Sequence, residues 1–325
     1  MPLLKRMQRT LILMCAALAA GPALAQEYPV RPIRIISPSA PGGITDLIAR
    51  IIGDRLAIAV KQPVIIENKP GGTGAVALDF VAKSPPDGYN LVVGFAGANV
   101  IYPQINDKLP FNAQRDFTPI TQVSSGGNVL VVHPSVPVNN LKEFLAYARA
   151  QTKPPPYGSW GPGSGGHLAG EYLKILTGVQ MFHVPYKSTT ALTTEVVGGH
   201  MQLAFLDSFN AIAQSRAGKV RSIAQAGPTR SPMLANVPTL QEEGVDFSVG
   251  VWTGIFGPAN LPRPIVTRLH VEIDRILRAP DLTERWLNIL GYPTAPTTPE
   301  EFARIIARDW DIWKRVVVEG KIKGD

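Results

Sequence analysis

The sequence predicts an α/β protein of two lobes, each a mostly parallel sheet flanked by helices. Three observations predict it. Short apolar runs alternate with segments of helical periodicity, the pattern of strands joined by crossover helices and hence of parallel pairing. The alternation breaks at "FTPITQVSS" (117–125) and then starts again. Two long helical patterns end the chain with no strand after them, so they need a sheet built earlier to cover.

In chain order, "IRIIS" (33–37) precedes the helical "TDLIARIIGDRLAIAV", "VIIEN" precedes "AVALDFVAKS", and "LVVGFA" follows the turn "PPDGY". The second series runs "NVLVVHP", helix "LKEFLAYARAQ", "YGSWG", helix "HLAGEYLKILTG", "MFHVPY", helix "TTALTTEVVGG", "MQLAFLD" and "VRSIAQAG". The stretch "FSVGVWTGIFGPANLP" is extended and ended by proline; "RPIVTRLHVEIDRILRAP" and "TPEEFARIIARDWDIWKRVVVEG" are the closing helices. Packing these on the first sheet makes the first lobe discontinuous, residues 26–124 plus 250–325, with 125–249 as the second lobe. The chain then crosses between lobes near Gln122–Gly127 and again near Val245–Trp252, which makes a hinge.

The first residues set the compartment. Lys5, Arg6 and Arg9 precede the apolar run "LILMCAALAA" and the small-residue ending Ala23-Leu24-Ala25, the pattern of a secretory leader cleaved near Ala25–Gln26. The apolar core is shorter than the roughly 20 residues a membrane span needs. Cys15, the one cysteine, falls inside it, so the exported chain carries no thiol, which excludes disulfide scaffolds, thiolate metal sites and cysteine nucleophiles. Losing three basic residues and no acidic one lowers the formal charge from +7 to +4. That balance suits small anions. No lysine/arginine cluster interleaved with aromatics appears, so nucleic acid is set aside.

The chemistry turns on "YGSWGPGSGGHLAGEYL" (157–173). Gly161, Gly163 and Gly166 fit G-x-G-x-x-G, yet the acid expected about 20 residues on is absent from "FHVPYKS", and His167 stands where a P-loop needs lysine. No nucleotide or other cofactor is expected. Ser164 is not a nucleophile elbow, since Pro162 occupies the required glycine position. His167, Glu171 and His183 suggest a metal only weakly, and no metal is expected. What remains is a helix N-terminus, whose free N–H groups and dipole hold an anion without a charged side chain. "SPSAPGGITDLIAR" (37–50) is a second such junction in the other lobe, with Gly42 and Gly43. Asp46 there either complements the dipole or faces the ligand. Trp160 either lines the cleft or packs in a core.

With "APGGITDLIAR", "IENKPGGTGA", "SPPDGYNLVVG", "YGSWGPGSGGHLAGEYL", "FHVPYK" and "GVWTGIFGPANLP", the chain resembles the Bug/TctC-type extracytoplasmic solute receptors of tripartite tricarboxylate transporters. The resemblance implies a periplasmic binding-protein fold of the Venus flytrap type. Such a fold closes on a small organic acid and delivers it, as a monomer, to the permease subunits of its membrane transporter. Carried over by position, it implies ligand contacts from Ser39, Ala40, Gly42, Gly43, Thr45 and Asp46 in the first loop. The second loop contributes Ser159, Trp160, Gly163, Ser164, Gly165, Gly166 and His167, and the strand ends contribute Ala96, Ala98, Asp207 and Ser208. The chain departs from the family pattern at Ser188 and Ala191, and in "NKPGGTGA", which leaves the path of Gly71–Gly74 open.

A binding protein needs glycine-rich loops and hydroxyls; an exported α/β enzyme acting on a small organic acid needs a nucleophile, a base and an orienting group. Asp207, His167 and Ser164 are the candidates for the enzyme, and their spacing matches no known set. The receptor reading is the stronger, with no catalytic residue.

Overall fold

The computed structural model describes residues 28–322, so the expected leader lies outside the described residues. Two five-stranded sheets form the molecule. The first contains β1 (Ile33–Ser37), β2 (Val64–Asn68), β3 (Asn90–Phe95), β4 (Phe117–Gly126) and β10 (Val251–Pro258), in the order β2-β1-β3-β10-β4. The second contains β5 (Asn128–Val132), β6 (Pro156–Ser159), β7 (Phe182–Pro185), β8 (Leu203–Asp207) and β9 (Arg221–Ala226), in the order β7-β6-β8-β5-β9. Each sheet is parallel except for one inserted strand. β10 runs against both β3 and β4, and β5 runs against both β8 and β9.

The helices follow their apolar periodicity. α1 (Ile44–Val60) buries Ile48, Ile51, Ile52 and Leu56, one face at three- and four-residue spacing, and ends on Lys61 in the left-handed conformation. α2 (Ala75–Ala82) follows β2, and a π turn at Gly97–Ile101 leads into the one-turn α3 (Tyr102–Ile105). In the second series come α4 (Leu141–Ala150), α5 (Gly165–Thr177), α6 (Thr189–Val197) and α7 (Ser208–Arg216). The chain closes with α8 (Arg263–Leu277), α9 (Pro280–Leu290) and α10 (Pro299–Glu319). α10 starts on a side-chain cap: the Thr298 hydroxyl accepts from the Glu301 amide at 3.1 Å, and Pro299 takes the first helical position.

α10 packs on the first sheet and also on the second half of the molecule. Its Asp309 carboxylate is fully buried and accepts from Trp252 Nε1 at 2.9 Å, which ties the helix to β10. Its Trp313 lies 6.0 Å from Tyr172 of α5. One hydrophobic cluster therefore runs through both sheets, joining Ile36 and Val92 to Leu130 and Phe205 by way of Phe247, Trp252 and Trp313.

The chain leaves the first sheet at Gly126, enters the second at Asn128, and returns between Ala226 and Val251. The two crossings press together so closely that side chains are excluded. A Cβ on Gly127 would lie 2.2 Å from the Ala226 carbonyl oxygen, and one on Gly250 would lie 2.4 Å from the Gly126 carbonyl oxygen. Both obstacles are main chain, which cannot rotate aside. Gly127→Ala is expected to destabilise the protein by about 1–3 kcal/mol, as overpacking does. The reading is a lower urea midpoint at unchanged m-value; a parental midpoint would mean the crossings yield freely.

Candidate functional site

A cavity of about 450 Å³ opens where the two sheets meet. It lies off the ends of β1 and β3 and the starts of β5 and β10, the position where open α/β sheets bind ligands. Ser39, Thr45, Ala96 and Gly165 line it, so both glycine-bearing junctions reach one space.

The first junction is organised by its own side chains. Asp46, 1% exposed, accepts from the Gly42 amide and from Asn68 Nδ2, each at 2.8 Å, and pairs with Arg50. Burial pushes this carboxyl up, but the bonds from Arg50, Gly42 and Asn68 outweigh it and hold it at about 2. Asp46 thus shapes the loop from behind. Ser39 Oγ accepts from Thr45 Oγ1 at 2.8 Å, and Ala40 accepts the Gly43 amide at 3.0 Å. The cap residue Gly43 offers no side chain, and the amides of Ile44 and Thr45 have no acceptor among the described residues.

The second junction is built likewise. Ser164 Oγ caps α5 by accepting from the His167 amide at 3.3 Å, leaving the Gly165 and Gly166 amides without acceptors among the described residues. Gly163 donates its amide to His167 Nδ1 at 3.0 Å, which makes Nε2 the protonated nitrogen of the neutral ring. Ser159 is fully buried and shares 2.7 Å with His183 Nε2. The His167 and His183 rings stack, 3.8 Å between centroids at 10°. Parallel stacked rings cannot aim in-plane lone pairs at one ion, and Glu171 is already committed to Tyr157 and Lys174.

Several implied contacts lie off the cavity wall. Trp160 packs behind α5, where a Cβ on Gly166 would lie 2.7 Å from its ring. Ala98 is in the core. Asp207 caps α7 through the Asn210 amide at 3.0 Å, and Ser208 Oγ donates to the Gly127 carbonyl at 2.5 Å where the chain crosses between the sheets. Ser164 Oγ meets His167 only at its main-chain amide, and the side chains of Ser164, His167 and Asp207 do not form the hydrogen-bonded relay that a catalytic set requires. Ser159 and His183 do pair, but Ser159 Oγ sits beneath the loop, bonded to Gly161 and Ser164.

The wall also contains residues that sequence reasoning passed over. Gly71, Thr73 and Gly74 line it from a loop in which Gly71 to Gly74 all have positive φ. Asn128, Phe247, Trp252, Tyr292 and Trp313 also line it. Trp313 belongs to the helical stripe with Trp310, and only the placement of α10 against both halves turns it inward. Among the described residues no lysine, arginine, aspartate or glutamate lines the cavity, and Lys187 is exposed elsewhere.

Residues 48–321 match the model of the tripartite tricarboxylate transporter family receptor. The chain belongs to this family. It is 28% identical to BugT of Bordetella pertussis over 95% of each chain. Among solved structures it is similar to a TctC solute binding protein from Polaromonas, at 28% identity and a TM-score of 0.81, covering 90% of this chain and 99% of that one. An R. palustris protein solved with adipate is 29% identical with a TM-score of 0.75, covering 91% and 99%. The receptors of this family are two-lobed periplasmic solute-binding proteins that serve transport.

Proposed function

We propose that this chain is exported behind a leader removed near Ala25–Gln26, captures a small organic acid in the interlobe cavity, and presents it to the permease of a tripartite transporter. In this reading residues 26–124 with 250–325 move as one lobe and 125–249 as the other. One observation carries it: two helix entrances from different sheets bring uncommitted amides to a single uncharged cavity. Such amides bind a carboxylate without a counter-cation. The adipate held by the R. palustris relative supports an acid as ligand.

Calorimetric titration with benzoate, hexanoate, adipate and malate tests the reading, together with scattering of the free and loaded chain. At least one acid is expected to bind one-to-one and to reduce the radius of gyration as the lobes close. Failure of all four to bind, or mass-spectrometric appearance of a product from any of them, would overturn it.

A further inference from the structure

We infer that the cavity selects a monocarboxylate with an apolar body over dicarboxylates; this rests on the receptor reading above. The first ground is the balance of charge. Each long helix entrance carries roughly half a positive charge, so α1 and α5 together match about one carboxylate. α2 adds less than α1 or α5: it has eight residues, and its cap and first helical amide are spent, Gly74 donating to the Gly71 carbonyl at 3.0 Å and Ala75 to that of Gly72. No charged side chain lines the wall to compensate a second carboxylate.

The second ground is Asn128. Its side chain lines the cavity, the residue is 5% exposed, and its carboxamide has no hydrogen-bond partner among the described residues. A Cβ built on Gly165 would lie 2.9 Å from its Nδ2, so this neutral donor stands beside the α5 entrance. Its carboxamide opens onto the cavity, and a carboxylate held by the Gly165 amide would accept one of its N–H groups.

The third ground is the wall itself. Phe95, Phe247, Trp252, Tyr292 and Trp313 face the same space, with Ile44 at 52% exposure on the rim. This surface gains by covering a hydrocarbon or aryl body and penalises a desolvated second anion.

The test compares hexanoate with adipate, which differ by one carboxylate on the same six-carbon chain, and benzoate with malate, all by calorimetry on the ligand-free chain. The monocarboxylate is expected to bind at least tenfold more tightly in each pair. Asn128→Asp, which preserves shape but faces the ligand with a like charge, is expected to weaken hexanoate at least a hundredfold. Ile44→Arg, at an exposed position that keeps the fold, is expected to narrow the hexanoate–adipate gap at least tenfold. A gap under tenfold in either pair, or unchanged hexanoate affinity in folded Asn128→Asp, overturns the inference while the receptor reading stands. Silence from all four acids fails both.

Discussion

Gly165→Pro is expected to weaken acid binding at least a hundredfold while leaving the melting temperature near the parental value. Gly165 is the first residue of α5, where proline is favoured because the N–H it lacks has no helical partner. Ser164 before it, at φ −69° and ψ 158°, already has the extended backbone that a following proline demands. The fold therefore accepts the substitution. The ligand loses one charge-assisted hydrogen bond, about 1.5–3 kcal/mol, and the ring enters space bounded by Asn128 and Val251. Ser164→Ala is the reverse case. Its hydroxyl caps α5, so the loss falls on stability, about 1 kcal/mol, with affinity nearly kept. Lys187→Ala should change neither. Calorimetry and thermal melts on the three variants, with whichever of hexanoate and adipate binds the parent, separate the two accounts. If Gly165→Pro binds normally and Lys187→Ala does not, a point charge grips the acid and the helix-entrance account fails.

The architecture was legible because its signals are local. Strand–helix alternation that starts twice yields two sheets, and glycine pairs ahead of apolar helical patterns mark the two entrances. The family resemblance then picked out Ser39, Thr45 and Gly165 within those junctions, and all three line the cavity. It could not choose among neighbours, because direction within a loop is settled by contacts far along the chain. Asp46 turns to Asn68, 22 positions away, and Trp160 folds behind α5. Asn128 carries no motif at all; it is the first residue of a strand whose place in the sheet, between β8 and β9, sets what it faces. Trp313 likewise reads as one residue of an amphipathic stripe, since no sequence pattern tells which of two sheets a helix will cover.

Acidification should unfold the protein in two stages, the upper one governed by the stacked histidines. Burial lowers His167 to about 4, with Lys174 adding to the effect; burial lowers His183 to about 4, with His167 and Lys174 adding and Glu171 opposing. Both rings are therefore neutral in the folded chain over a range where the unfolded chain, near 6.5, binds protons. The unfolded state holds more protons between about pH 6.5 and 4, so stability is full above this window and falls as pH drops through it. At 1.36 kcal/mol per pH unit, the first ring to charge costs roughly 3 kcal/mol across the window. The second costs a coupled amount, because two stacked imidazoliums repel. Asp46, held at about 2, acts lower down: its contribution is present above its unfolded value near 3.8 and is lost as pH falls toward 2. A urea midpoint series from pH 7.5 to 3 should show the upper decline. The double variant His167→Asn with His183→Gln, which offers oxygen to Gly163 and an amide to Ser159, should flatten it between 6.5 and 4 and leave the lower stage unchanged. A parental slope in that variant would place the upper window in other groups and remove the histidine stack from the account of acid stability.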